Sequence, residues 1–104
     1  MDLATEIKNL QGKRLTTLYQ NKPFEITQVT STEIILKTAK DPKLSIPLKG
    51  VTLAWNHLAK KKKLTNSQIR DLGYSEDNPA YVVAILASLP GVKHTLSPIS
   101  LTLP

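Results

Sequence analysis

A chain of 104 residues with 40% hydrophobic residues and no cysteine has material for one hydrophobic core, and none for a disulfide framework or a thiolate zinc site. Fourteen Lys and Arg against eight Asp and Glu give a formal charge of +6, which favours polyanionic partners and also serves solubility. The start, Met1-Asp2-Leu3-Ala4-Thr5-Glu6, carries acids where a secretion signal carries bases, and no run approaches the roughly 18 apolar residues of a membrane span. The expectation is a single domain over residues 1–104, cytoplasmic and without membrane contact.

Leu3, Ile7 and Leu10 recur at helical spacing, Asp2 can cap the start, and Gly12 stands where a left-handed residue would end the run, so a helix is predicted over residues 3–11. From Arg14 to Leu48 β-branched and aromatic residues dominate between turn formers. Strands are predicted at Leu15–Tyr19, Phe24–Val29, Glu33–Thr38 and Leu44–Ile46, with Pro47 marking an edge or an exit because it lacks a backbone donor. Residues 3–48 thus read as a helix followed by a three- or four-stranded antiparallel meander, able to curl toward a small barrel.

Residues 50–89 read as three helices covering that sheet. Val51, Ala54, Trp55, Leu58 and Ala59 form one helical stripe leading into the lysine run. Thr65 with Gln68 makes a capping box, flanked by Leu64 and Ile69 as a hydrophobic staple, so a second helix starts at Asn66 and ends before Gly73. Asn78-Pro79 starts the third, with Glu76 and Asp77 at the positive end of its dipole and Val82, Ile85, Leu86 and Leu89 as its apolar stripe. The tail, residues 92–104, alternates weakly around Pro98 and reads as an extended segment or a last edge strand. The fold class is α+β.

The chemistry is mostly one of exclusion. His57 and His94 stand alone in sequence, with no HExxH pattern, so no metal site is expected; a helix face suits His57 and a loop His94. No serine sits in a Gly-x-Ser-x-Gly elbow, and four scattered glycines make neither a P-loop nor a dinucleotide fingerprint. Glu6-Ile7-Lys8 has a nuclease-like spacing but no partner acid. No catalytic residue, cofactor or enzymatic activity is expected.

Charge is the positive signal. Lys49, Lys60, Lys61, Lys62, Lys63 and Arg70 lie in a stretch without a single acid, more bases than helix capping requires. Such a segment suits the phosphate backbone of DNA or RNA. A helix-turn-helix outline over Thr65–Leu89 fails on its last helix, which has no Arg, Lys, Asn or Gln between Ala80 and Leu89 to read a base edge.

Gly12-Lys13-Arg14-Leu15, Phe24-Glu25-Ile26, Leu64-Thr65 and Asn78 to Leu86 resemble, over about residues 10–92, a small uncharacterised bacterial domain that occurs alone or beside restriction-endonuclease and helicase modules. The resemblance implies an accessory or DNA-defence setting and carries no catalytic residues. The leading expectation is a non-enzymatic module that touches nucleic acid through the basic segment. The alternative is a protein-interaction or assembly domain, with a partner protein or a second copy pairing along the apolar tail; a small-molecule sensor is third.

Overall fold

The computed structural model describes residues 2–75, 77–96 and 98–104. Helix α1 (Leu3–Lys8) is shorter than the predicted span, because the chain tightens to i→i−3 bonds, Leu10 N–H to Ile7 and Gln11 N–H to Lys8. Ile7 and Leu10 are buried all the same. Asp2 occupies the N-cap without a side-chain cap bond. Its carboxylate instead accepts the Thr5 hydroxyl at 2.6 Å, which holds that carboxyl below its ordinary pKa.

The meander is present as strands β1 (Arg14–Thr16), β2 (Pro23–Val29), β3 (Glu33–Thr38) and β4 (Leu44–Pro47), antiparallel in the order β1-β2-β3-β4. It is an open sheet and not a barrel. β1 and β4 are both edges; β1 has only three residues and β4 four, too short to meet with the stagger that closure demands. The predicted first strand, to Tyr19, stops at Thr16 because Thr17 turns the chain. Its N–H donates to Lys22 O, its hydroxyl accepts Lys22 N–H, and its carbonyl accepts Asn21 N–H, each at 3.0 Å.

A bulge decides which β2 residues face the core. The pairing passes from Ile26↔Leu36 to Gln28↔Ile35, so the extra residue Thr27 shifts the alternation by one. Phe24 and Ile26 before it and Val29 after it therefore share the face of Ile34 and Leu36, and with Ile46 they form the core side of the sheet.

Helix α2 (Leu48–Lys61) buries Gly50, Val51, Ala54 and Leu58; Trp55 and Ala59, predicted in the same stripe, are half-buried. The lysine run then changes conformation residue by residue. Lys60 and Lys61 end the helix, Lys62 adopts φ 65° as its C-cap with its N–H on Leu58 O at 2.8 Å, and Lys63 begins strand β5 (Lys63–Thr65).

That strand corrects the picture of an all-helical span, and the tail corrects with it. The tail holds an edge strand, as one of its two readings has it, but also an inner one: β6 (Lys93–Leu96) pairs with β7 (Ile99–Thr102), and β7 pairs with β5, making a second sheet in the order β5-β7-β6. Leu64 and Leu101 face each other across it, both fully buried. His94 accordingly lies in β6 and not in a loop.

Helix α3 (Asn66–Asp71) starts on the predicted capping box, with Gln68 N–H on Thr65 Oγ1 at 3.1 Å and Thr65 N–H on Gln68 Oε1 at 2.9 Å. Thr65→Ala removes one of these bonds and is expected to cost about 1 kcal/mol of unfolding free energy in urea, with Thr65→Ser near wild type.

Helix α4 (Pro79–Ala87) has Pro79 in its first turn and Asn78 as N-cap, although the Asn78 side chain makes no cap bond. Glu76, the acid expected near its start, lies outside the described residues. Val82, Val83, Ala84, Ile85 and Leu86 are all buried, so the helix is apolar all round and not striped. It packs against β1 of the first sheet, β7 of the second, and α3. Among the described residues no helix is long and apolar enough to cross a membrane.

Candidate nucleic-acid interface

The basic residues do not gather as one strip. Lys49 sits in the first turn of α2 and Lys61 in its last, about 18 Å apart at 1.5 Å per residue. Lys49 borders a separate depression together with Asp77. Arg70 lies on α3 with Asp71 beside it, Nε to carboxylate 3.6 Å, both side chains well exposed. This is the one ion pair among the described residues, and such a surface pair contributes little stability. Lys60, Lys61, Lys62 and Lys63 are all exposed and make none.

Two of them converge. Lys61, at the end of α2, and Lys63, the first residue of β5, border a shallow hollow of about 400 Å³ with His57, Thr65 and Gln68. His57 precedes Lys61 by four residues and so shares its face of the helix. The imidazole Nδ1 lies 3.3 Å from the Tyr74 hydroxyl, which leaves Nε2 as its other hydrogen-bonding atom.

The second sheet adds a lysine that the linear sequence does not connect with the run. Thr102 of β7 pairs with Lys63 on one side and with Lys93 of β6 on the other, and directly paired residues project to the same face. Lys63 and Lys93 therefore flank Thr102, their backbones about 9.6 Å apart at two inter-strand spacings. Two residues along, Thr65, Ser100 and Thr95 continue the face, with the Thr95 and Ser100 hydroxyls 2.8 Å apart. Leu64 and Leu101 take the opposite face toward the core. Lys63 and Lys93 thus share a sheet face with a row of hydroxyl residues, of which Ser100 is buried.

Comparison with protein-family models, with curated proteins and with solved structures finds no match. Function therefore has to be argued from geometry.

That geometry does not suit reading bases in a major groove. Helix α4, which would be the recognition helix of a helix-turn-helix, is buried between the two sheets and cannot enter a groove. What the Lys61, Lys63 and Lys93 face offers is positive charge with hydroxyl and amide donors beside it, a combination matched to phosphate oxygens. His57 and Lys93 were the residues hardest to find by sequence: the first by its spacing from Lys61, the second only by knowing that β5 and β6 share β7.

Proposed function

We propose that this chain is a non-enzymatic accessory module that binds the phosphate backbone of nucleic acid through the face formed by the end of α2 and the second sheet. Lys61, Lys63 and Lys93 supply the charge at its centre, Lys60 and Lys62 extend it, and Thr65, Gln68 and His57 supply donors. The observation that carries this reading is the register of Lys63 and Lys93 about Thr102, with no carboxylate paired to either among the described residues. An accessory or DNA-defence role, which the sequence resemblance implies, fits such a face.

Binding of this kind is independent of base sequence and releases counterions, so it weakens steeply with salt. Titrating labelled DNA and RNA, duplex and single-stranded, at low and moderate salt tests it. The expected result is micromolar-range binding that salt removes and base sequence barely alters. Absence of binding at low salt would overturn the reading.

A second reading has its own observation. Strand β6 is an edge with all four residues exposed, and an open edge can accept a second copy of the chain. A hydrodynamic radius that grows with protein concentration, and stops growing when a proline replaces Thr95, is the expected result for that assembly.

A further inference from the structure

A cleft of about 390 Å³ opens where the turn after β1 meets α4, bordered by Thr17, Tyr19, Lys22, Asn66, Tyr81 and Ile99. Its volume falls in the range of small-ligand sites, roughly 300–1,000 Å³. It is separate from the lysine face, because Ile99 lies on the Leu64–Leu101 side of the second sheet, opposite Lys63 and Lys93.

Its walls are held firmly. The turn is locked by the Thr17 bonds described above, with Thr17 itself buried, and Tyr81 is fixed edge-on to Phe24 with ring centroids 5.1 Å apart. Yet Tyr19, at the turn's tip, is 71% exposed. A large aromatic ring placed in water on a rigid turn, beside an apolar cleft with a second tyrosine, has no packing role in the fold.

One of the residues bordering the cleft, Asn66, has an unpaired polar atom among the described residues. Its Oδ1 is buried and, among the described residues, has no hydrogen-bond partner, an uncommon and unfavourable state. An asparagine amide, whose terminal torsion is soft, carries an acceptor next to its own donors. That side-by-side pair is complementary to the edge of a nucleobase, an N–H beside a ring nitrogen or carbonyl.

We propose that this cleft binds a nucleobase-like ring, held between Tyr19 and Tyr81, hydrogen-bonded by Asn66, with an anionic substituent reaching Lys22 at the rim. Apolar walls and tyrosines stack such a ring without regard to its identity, the amide requires its N–H edge, and the ammonium favours a phosphate on it.

Amide chemical shifts of the whole chain during titration with the four nucleoside monophosphates, with the corresponding nucleosides and with a short single strand test the proposal and separate a free nucleotide from a base within a strand. The expected result is saturable shifts of residues 17–22, 66 and 80–83 with an apparent Kd on the order of 1 mM or tighter. Tyr19→Ala and Asn66→Leu are expected to weaken it about tenfold each, Lys22→Gln to affect the monophosphates and not the nucleosides, and Lys63→Gln with Lys93→Gln to leave mononucleotide binding unchanged. Tyr19 and Lys22 are exposed, so their variants keep the fold. Shifts at the cleft with the strand but not with mononucleotides assign the base to a strand and support the proposal equally. Absence of shifts at the cleft with any of these ligands, or shifts that Tyr19→Ala and Lys22→Gln leave unaltered, overturns it, whatever the lysine face does.

Discussion

Gly50→Ala is expected to lower the melting temperature by about 10–25 °C, the size of shift that about 3 kcal/mol produces in a domain of this length. On helix propensity alone the exchange would stabilise, since alanine exceeds glycine by about 1 kcal/mol in a helix interior. Packing reverses the sign. A Cβ at position 50 would stand 1.9 Å from the Tyr74 carbonyl oxygen and 3.1 Å from its carbonyl carbon, contacts that no rotamer change can relieve because both atoms are backbone. Nor can Tyr74 retreat freely, for its N–H and that of Ser75 both bond to Ile69 O, at 3.0 and 3.1 Å. The clash would pry the loop after α3 from α2, and overpacking against fixed atoms costs about 1–3 kcal/mol or more.

Gly73→Ala serves as the comparison. There φ is +76° but nothing lies within 4 Å of the added Cβ, so only the left-handed backbone is penalised, about 1 kcal/mol. A thermal or urea melt in which Gly50→Ala is as stable as Gly73→Ala would mean that α2 and the loop are not held at this distance.

The elements legible in the sequence were those whose signals are local. The capping box at Thr65 and Gln68, Pro79 in the first turn of α4 and the strand Glu33–Thr38 all follow from residues within a few positions of one another. What could not be read locally was what depends on distant pairing. Lys63–Thr65 is a strand only because Ser100–Thr102 lies beside it; three residues inside a predominantly helical stretch carry no periodicity of their own. The same pairing explains α4. Its sequence reads as one stripe of Val82, Ile85, Leu86 and Leu89, but a second sheet packed against the helix makes Val83 and Ala84 core as well. The N-terminal helix and first strand were overextended for a different reason: Thr17 and the residues after Lys8 form turns through hydrogen bonds that compete with continuation.

The candidate site divides along the same line. The lysine run is conspicuous in sequence, but chain proximity joins Lys49 to it while leaving out Lys93, whereas the fold sets Lys49 at the far end of α2 and brings Lys93 to the register of Lys63. This exchange leads to the second large prediction. Each lysine that neutralises a phosphate contributes about 0.9 to the slope of log K against log salt on duplex DNA, so three contacts give a slope near −2.7 and about a 40-fold loss of affinity between 50 and 200 mM salt. Replacing Lys61, Lys63 and Lys93 together with glutamine is expected to flatten that dependence by about the same 2.7. Replacing Lys40, Lys43 and Lys49 removes as much charge from elsewhere on the surface. If net charge alone drew the polyanion, the two triple variants would lose affinity equally; if the face formed by β5, β7 and β6 is the contact, only the first changes the slope. All six side chains are exposed, so both proteins should melt close to wild type, and equal slopes for the two would place the contact somewhere other than the second sheet.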